Sequence, residues 1–248
     1  FIHYGPESGD HQTTWCAGRA IEFIHDRAGD DAPWLFSVNV FAPHHPFDPP
    51  ESMLRRYLER LDDLPLPAYQ PGELKKKTSH QRRDHAAAYG IQGLYPFDEM
   101  TEREHRLVRA AYWAMVDHID EQTGRVLDAL DSSGQRDDTI VIFMSDHGEL
   151  LGDHGIYLKG PHFYDPSVRV PLIFSLPGRA AAGRRVPALV ELVDLAPATA
   201  RTVVKNHDRF NWLKERISTL RERIGPASAR VPRAGSGVPP GSSGAGSR

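Results

Sequence analysis

Thr139-Ile-Val-Ile-Phe-Met-Ser-Asp-His-Gly-Glu149 is the stretch that decides how this chain is read. Ile140 to Met144 is an unbroken apolar run containing β-branched residues, the composition of a strand buried on both faces of a parallel sheet. The run stops abruptly at Ser145-Asp146-His147-Gly148. An open α/β sheet places its chemistry beyond the carboxyl ends of its strands. Here that end carries a carboxylate and an imidazole side by side, and Gly148 allows the backbone to turn tightly. Adjacent Asp and His on such a turn can both face one divalent cation, so Asp146 and His147 are candidate metal ligands. The plainer reading is that Asp146 only caps the turn that follows.

Two further stretches point to the same rim. Trp34 to Phe41 reads as a second apolar strand, and it ends at Ala42-Pro-His-His-Pro-Phe-Asp-Pro-Pro50. That end delivers His44 and His45 between Pro43 and Pro46. Downstream of the Asp-His loop come Leu151-Gly-Asp-His-Gly155 and Lys159-Gly160, with His154 and His162 nearby. A cation, a lysine and a histidine converging on one point describe a site for a tetrahedral oxyanion. The cation polarises an ester. The lysine neutralises charge on the oxygens, and a histidine holds an oxygen or protonates a leaving group. Taken singly, each piece has a bland reading. His44 and His45 could be turn residues, Lys159 a solvated lysine, and Asp153 with His154 a loop fastener. Lys75-Lys76-Lys77 reads as a solvated face, and Cys16 as a core residue of its helix.

The rest of the chain supplies a frame. Trp15 to Arg27 reads as a helix, with Cys16, Ala20, Phe23 and Ile24 on one face. Residues 51 to 61 form a short helix with Met53, Leu54, Tyr57, Leu58 and Leu61 inward. Residues 62 to 98 are a long surface excursion with short helical turns. Thr101-Glu-Arg-Glu104 is a capping-box pattern. It opens the longest helix, running to about Ser132 on a stripe of Val108, Ala111, Met115, Ile119, Val126 and Leu130. Val170 to Ser175 reads as another strand, and Leu192 to about Ala200 starts a helix. These elements predict an α/β domain of layered α/β/α form with a mostly parallel central sheet. The domain is expected over 1–200, followed by a divergent helical segment at 201–224. A disordered tail rich in Gly, Ser and Pro is expected at 225–248.

The chain has 248 residues, and 30 basic against 33 acidic side chains give a net charge of −3. That balance argues against nucleic acid as a partner. No apolar run approaches the length of a membrane span, so a membrane is not expected as a partner either. The single cysteine, Cys16, excludes an internal disulfide. Phe1-Ile-His-Tyr-Gly-Pro6 is unlike a signal peptide and has no initiator Met, which suggests a chain that begins within a domain.

Four blocks together resemble the type I sulfatase family of the alkaline-phosphatase-like superfamily. They are Phe41-Ala-Pro-His-His-Pro-Phe-Asp-Pro-Pro50, Ser145-Asp-His-Gly-Glu-Leu-Leu-Gly-Asp-His-Gly155, Lys159-Gly160, and Tyr164-Asp-Pro-Ser-Val-Arg-Val-Pro-Leu-Ile173. Glu121 to Leu130 is also similar to the family's helix before the metal strand, and the likeness covers roughly residues 10 to 200. The resemblance implies that Asp146 and His147 match the second pair of metal ligands. It implies that His44 and Lys159 match the sulfate-binding histidine and lysine, acting in both binding and catalysis. The usual cation in the family is calcium; the imidazole at 147 leaves manganese or zinc as alternatives. In such enzymes a cysteine is converted to formylglycine. Its hydrate attacks sulfur, the alcohol leaves, and the hemiacetal sulfate then releases sulfate.

The departures from the family pattern are as informative. The paired-Asp metal motif and the nucleophile motif Cys-x-Pro-Ser-Arg are absent. Cys16 lies in Trp-Cys-Ala-Gly-Arg-Ala and is not assigned as the nucleophile. The resemblance therefore implies a sulfuric ester hydrolase whose formylglycine would stand in a part of the protein N-terminal to this sequence. This piece is expected to be inactive alone. The substrate would be a small-molecule or carbohydrate sulfate ester. Two alternatives stand beside this: a phosphonate monoester or phosphodiester hydrolase of the same superfamily, and a non-catalytic remnant that binds an oxyanion. Relatives of this kind can be periplasmic, secreted or cytoplasmic.

Overall fold

In a computed structural model of the chain, residues 1–197 and 199 are described. Its spine is the helix α4, Glu102–Ser132 (α1 to α3, which precede it, are given below). The Thr101 hydroxyl accepts from the Glu104 amide at 3.2 Å, and the Glu104 carboxylate accepts from the Thr101 amide at 2.8 Å. The capping box read from the sequence therefore starts the helix where expected. At the other end Gly134 adopts φ +73°. Its amide bonds Asp131 O, and the Gln135 amide bonds Leu130 O. This is the left-handed terminator that glycine favours. Along α4 the buried residues His105, Val108, Ala111, Met115, His118, Gln122 and Ala129 recur every three to four positions and form one face.

Two shorter helices lie against that face. The first, α1, covers Gln12–Asp26 and buries Thr13, Ala17, Ala20 and Ile24. It begins earlier than Trp15 because the His11 ring accepts from the Thr13 amide at 3.2 Å and caps it. Cys16 is half-buried, not core. Its thiol donates to the Asn39 carbonyl at 3.5 Å. The second, α2, covers Glu51–Leu58 and seats Met53 and Leu54 in the main core. Within the 62–98 excursion a third helix, α3, runs over Ser79–Ala86 from a Thr78–Gln81 capping box.

The α1–α4 seam contains a buried histidine with a pH consequence. His118 is fully enclosed, with Nε2 at 2.9 Å from Thr14 Oγ1 and 3.1 Å from Ser8 Oγ. The His11 ring meets it edge-on at 4.7 Å. Burial, and secondarily His11, push its pKa from 6.5 down to about 4. A folded-state pKa below the unfolded one means stability is complete above pH 6.5 and is lost as pH falls toward 4. Urea midpoints of the His118→Gln variant should therefore decline less than those of the parent between pH 6.5 and 4. Parallel declines would show that His118 is not the linked group.

The sheet departs from expectation. β1 (Val141–Met144) pairs with β2 (Leu172–Ser175) in antiparallel register, Val141 opposite Ser175 and Met144 opposite Leu172. No parallel sheet is present among the described residues, and 34–41 forms no strand. The reason is the hydrogen-bond requirement of a ladder: 34–41 finds no strand to pair with, so apolar composition alone cannot make it one. β1 is also not buried on both faces, since Phe143 and Met144 are exposed, as are Ile173 and Phe174 of β2. Leu35 is 87% exposed. Trp34 and Val141 do pack beside Ile24, Ala129 and Leu130. No helix among the described residues is long and apolar enough to cross a membrane.

The chain divides into two compact units, Phe1–Arg185 and Val186–Arg248. In the second, a 3-10 turn over Leu192–Asp194 leads into helical residues at 195–197, where a helix start was expected. The helical segment expected at 201–224 and the tail expected at 225–248 lie outside the described residues.

Candidate functional site

β1 ends at Met144, and the chain turns at once. The Gly148 amide bonds Ser167 O at 2.8 Å and the Glu149 amide bonds Pro166 O at 3.1 Å. Pro166 and Ser167 belong to α5, the single turn Asp165–Val168. The loop then doubles back. The Leu150 amide bonds Leu158 O, and the Gly152 amide bonds Ile156 O, each at 3.1 Å. Leu150, Ile156, Tyr157 and Leu158 are buried and anchor the turn in the core. Gly152 and Gly155 take φ +85° and +72°, which lets the turn close. The result returns Lys159 to the neighbourhood of His147.

The second contribution comes from the proline-framed turn at 42–50. Its Ala42–Pro43 and His45–Pro46 bonds are both cis. Phe47 is fully buried, and its carbonyl accepts from the His3 amide at 2.8 Å, which pins the turn. His44 stands out of this turn. Its Nδ1 lies 2.6 Å from the His45 carbonyl, so Nδ1 carries the hydrogen and Nε2 keeps its lone pair. That Nε2 meets the ammonium of Lys159, 115 residues away in sequence. The His44 ring also lies 6.2 Å from that of His147 and stacks on His45 at 4.3 Å.

The Asp-His pair is arranged in the same sense. His147 Nδ1 donates to Gly148 O at 2.8 Å, which leaves Nε2 free. Asp146 Oδ2 is 3.7 Å from that Nε2, too long for a hydrogen bond. It is short enough for both atoms to touch one cation at about 2.0–2.5 Å each. The Asp146 side chain is 81% exposed. The pair therefore fits as two ligands of a divalent ion. Among the described residues no group of three or more His, Cys, Asp or Glu side chains could hold a metal.

Burial lowers the pKa of Lys159, opposed by the charges of Glu149 and Asp146. Burial lifts the Glu149 carboxyl to about 7, although the Leu151 amide and Lys159 act against the rise. His45 is held at about 4 by burial, then by His44 and Lys159, and its buried Nδ1 has no partner. All four residues singled out from the sequence, His44, Asp146, His147 and Lys159, thus meet on one rim.

The neighbouring histidines do other work. Asp153 accepts from the Ala68 amide at 2.8 Å and pairs with Arg109 at 3.3 Å. His154 bonds Glu73 at 3.0 Å and stacks on Tyr164 at 3.9 Å. Both fasten the 62–98 excursion to the site loop, so their plainer reading holds. Glu149 received no role from sequence, nor did Asp84. The latter is buried on α3 and takes a 2.8 Å hydrogen bond from the buried His162 ring. A Cβ on Gly160 would lie 2.8 Å from His162 and 3.1 Å from Asp84, so this pair backs the Lys159–Gly160 turn. The signal that could have found Asp84 was Thr78-Ser-His-Gln81, a capping pattern that announces α3.

Comparisons with known proteins show the family. Residues 5–203 match the sulfatase family, and the chain belongs to that family. An arylsulfatase of Clostridium perfringens is 31% identical over 192 residues, covering 77% of this chain and 37% of the relative. Human iduronate 2-sulfatase is 32% identical over 217 residues, covering 73% of this chain and 38% of the relative. Among solved structures, a phosphonate monoester hydrolase from Silicibacter pomeroyi superposes with a TM-score of 0.66 at 28% identity. It covers 78% of this chain and 38% of that one. The likeness is consistent with an α/β fold, and the chain spans under two fifths of the length of these relatives.

Proposed function

We propose that this chain carries the oxyanion-gripping part of a sulfuric ester hydrolase site. The observation that carries the reading is the contact of Lys159 with His44 beside the His147 ring. Lys159 would set its charge against the ester oxygens. Lys159 or His44 would supply the proton that a leaving oxygen needs. Asp146 and His147 would hold the divalent ion, calcium first and manganese or zinc next, which when bound supplies Lewis-acid polarisation of the ester. Formylglycine finds no match here. Cys16, on α1, donates its thiol to the Asn39 carbonyl, and no step runs through it. The substrate would be a small-molecule or carbohydrate sulfate ester, and a sulfate-release assay on this chain alone is expected to show no turnover.

Manganese offers a direct test, because its paramagnetism broadens nearby imidazole signals. Histidine resonances of the full chain should broaden first at His147, and Asp146→Ala should remove that effect while leaving thermal stability unchanged. Broadening that survives in the variant, or that selects His118, would refute the cation site. A second reading, phosphonate or phosphodiester hydrolysis, is favoured by the structural likeness to the Silicibacter enzyme. Parallel titrations with phenyl sulfate and phenyl phosphonate distinguish the two by which ligand shifts His44 at lower concentration.

A further inference from the structure

Residues 75–83 read Lys-Lys-Lys-Thr-Ser-His-Gln-Arg-Arg: five permanent positive charges and no carboxylate, on a chain whose net charge is −3. Several exposed cations elsewhere pair with an acidic neighbour within a turn. Arg19 pairs with Glu22, Arg55 with Glu51, Arg60 with Asp63, and Arg169 with Asp165. In the 75–83 segment only Arg83 has such a partner, Asp84, at 3.2 Å. Lys75, Lys76, Lys77, Arg82 and Arg83 are all exposed. Glu73, the nearest preceding acid, is bonded to His154 and to the Gln70 amide.

The segment is nonetheless held in one place, against the site loop. Gln81 Nε2 donates to the Tyr164 hydroxyl at 2.8 Å, and Lys77 Nζ sits 5.5 Å over the Tyr164 ring. Tyr164 in turn stacks on His154. Arg83 bonds Asp84 Oδ1 at 3.2 Å, and the other oxygen of that carboxylate backs Gly160. The Arg83 stem also packs on Gly90, and the backbone of Lys159 and Gly160 acts on the neighbouring Tyr89 hydroxyl. One carboxylate therefore separates the Arg83 guanidinium from the turn that presents Lys159. A fixed row of five cations with a single paired carboxylate, at the edge of an anion site, attracts a second anionic group on the same ligand.

We infer that residues 75–83 form a second anion subsite beside the His44–Lys159 pair, and that the substrate is a sulfated carbohydrate bearing a further anionic group. This rests on the reading of His44 and Lys159 as the ester site. The first group meets the His44–Lys159 pair, and the second meets Arg83 and the lysines of 75–77.

The test titrates the full chain calorimetrically with a monosulfated disaccharide and with its disulfated counterpart. The disulfated sugar should bind about tenfold more tightly, a gain that shrinks as salt screens the exposed charges. The combined Lys75→Gln, Lys76→Gln, Lys77→Gln variant should abolish that ratio and keep the monosulfated affinity, and Arg83→Gln should reduce the ratio independently. A ratio of one in the parent, or one unchanged in both variants, overturns the subsite, as does failure of the disulfated sugar to bind. Failure of the ester-site reading looks different: Lys159→Ala would leave monosulfated binding untouched.

Discussion

Lys159→Ala should lower the affinity of the chain for inorganic sulfate by about ten- to a hundredfold. A hydrogen bond to a charged group contributes about 1.5–3 kcal/mol, and about 1.4 kcal/mol is a factor of ten in binding. Lys159 is the cation in contact with His44, and burial disfavours its charge more than the nearby Glu149 and Asp146 favour it. An arriving anion adds counter-charge at the ammonium. His44→Ala should cost less, since it removes a neutral partner and leaves the ammonium. The double variant should fall short of the sum, because both residues address one ligand. Sulfate titration followed through the His147 ring signal reads all three, with thermal unfolding as the control for folding. Sulfate binding that persists undiminished in Lys159→Ala would remove the foundation of the proposed chemistry.

Gly148→Ala should destabilise the chain by about 3 kcal/mol or more. The reason is backbone crowding. A Cβ there would stand 1.9 Å from the Pro166 carbonyl oxygen and 3.0 Å from its carbon. Neither is a flexible side-chain end, so the two strands of chain must separate. Separation breaks the Gly148–Ser167 and Glu149–Pro166 bonds, frees α5, and releases the Asp146–His147 turn. The expected fall in melting temperature is about 6–12 °C for a unit of this size. Gly9→Ala serves as the comparison, because nothing lies within 4 Å of that position. Equal melting temperatures for the two variants would refute the close approach.

Much of the site was legible in the residues because its signals are local. A cap at Thr101 acts on an amide three residues away, and Asp146-His147-Gly148 needs only its own turn. The helices followed from periodicity for the same reason. The strands were another matter. Apolar composition at 34–41 and 140–144 states what must be covered, but not which ladder forms or in which direction. Only β1 with β2 pairs, and it pairs antiparallel.

Residue identity alone set the candidates: His44, Asp146, His147, Lys159, a glycine-punctuated loop and a net negative chain. Tertiary structure decided that His44 and Lys159 touch across 115 positions. It decided that Asp153 and His154 fasten a loop, that Asp84 and His162 back the lysine turn, and that Glu149 is driven to about 7. Those outcomes depend on contacts between distant segments and on exclusion of water. A pattern of neighbours along a chain carries local hydrogen bonding, while desolvation and long-range pairing exist only once the chain is folded.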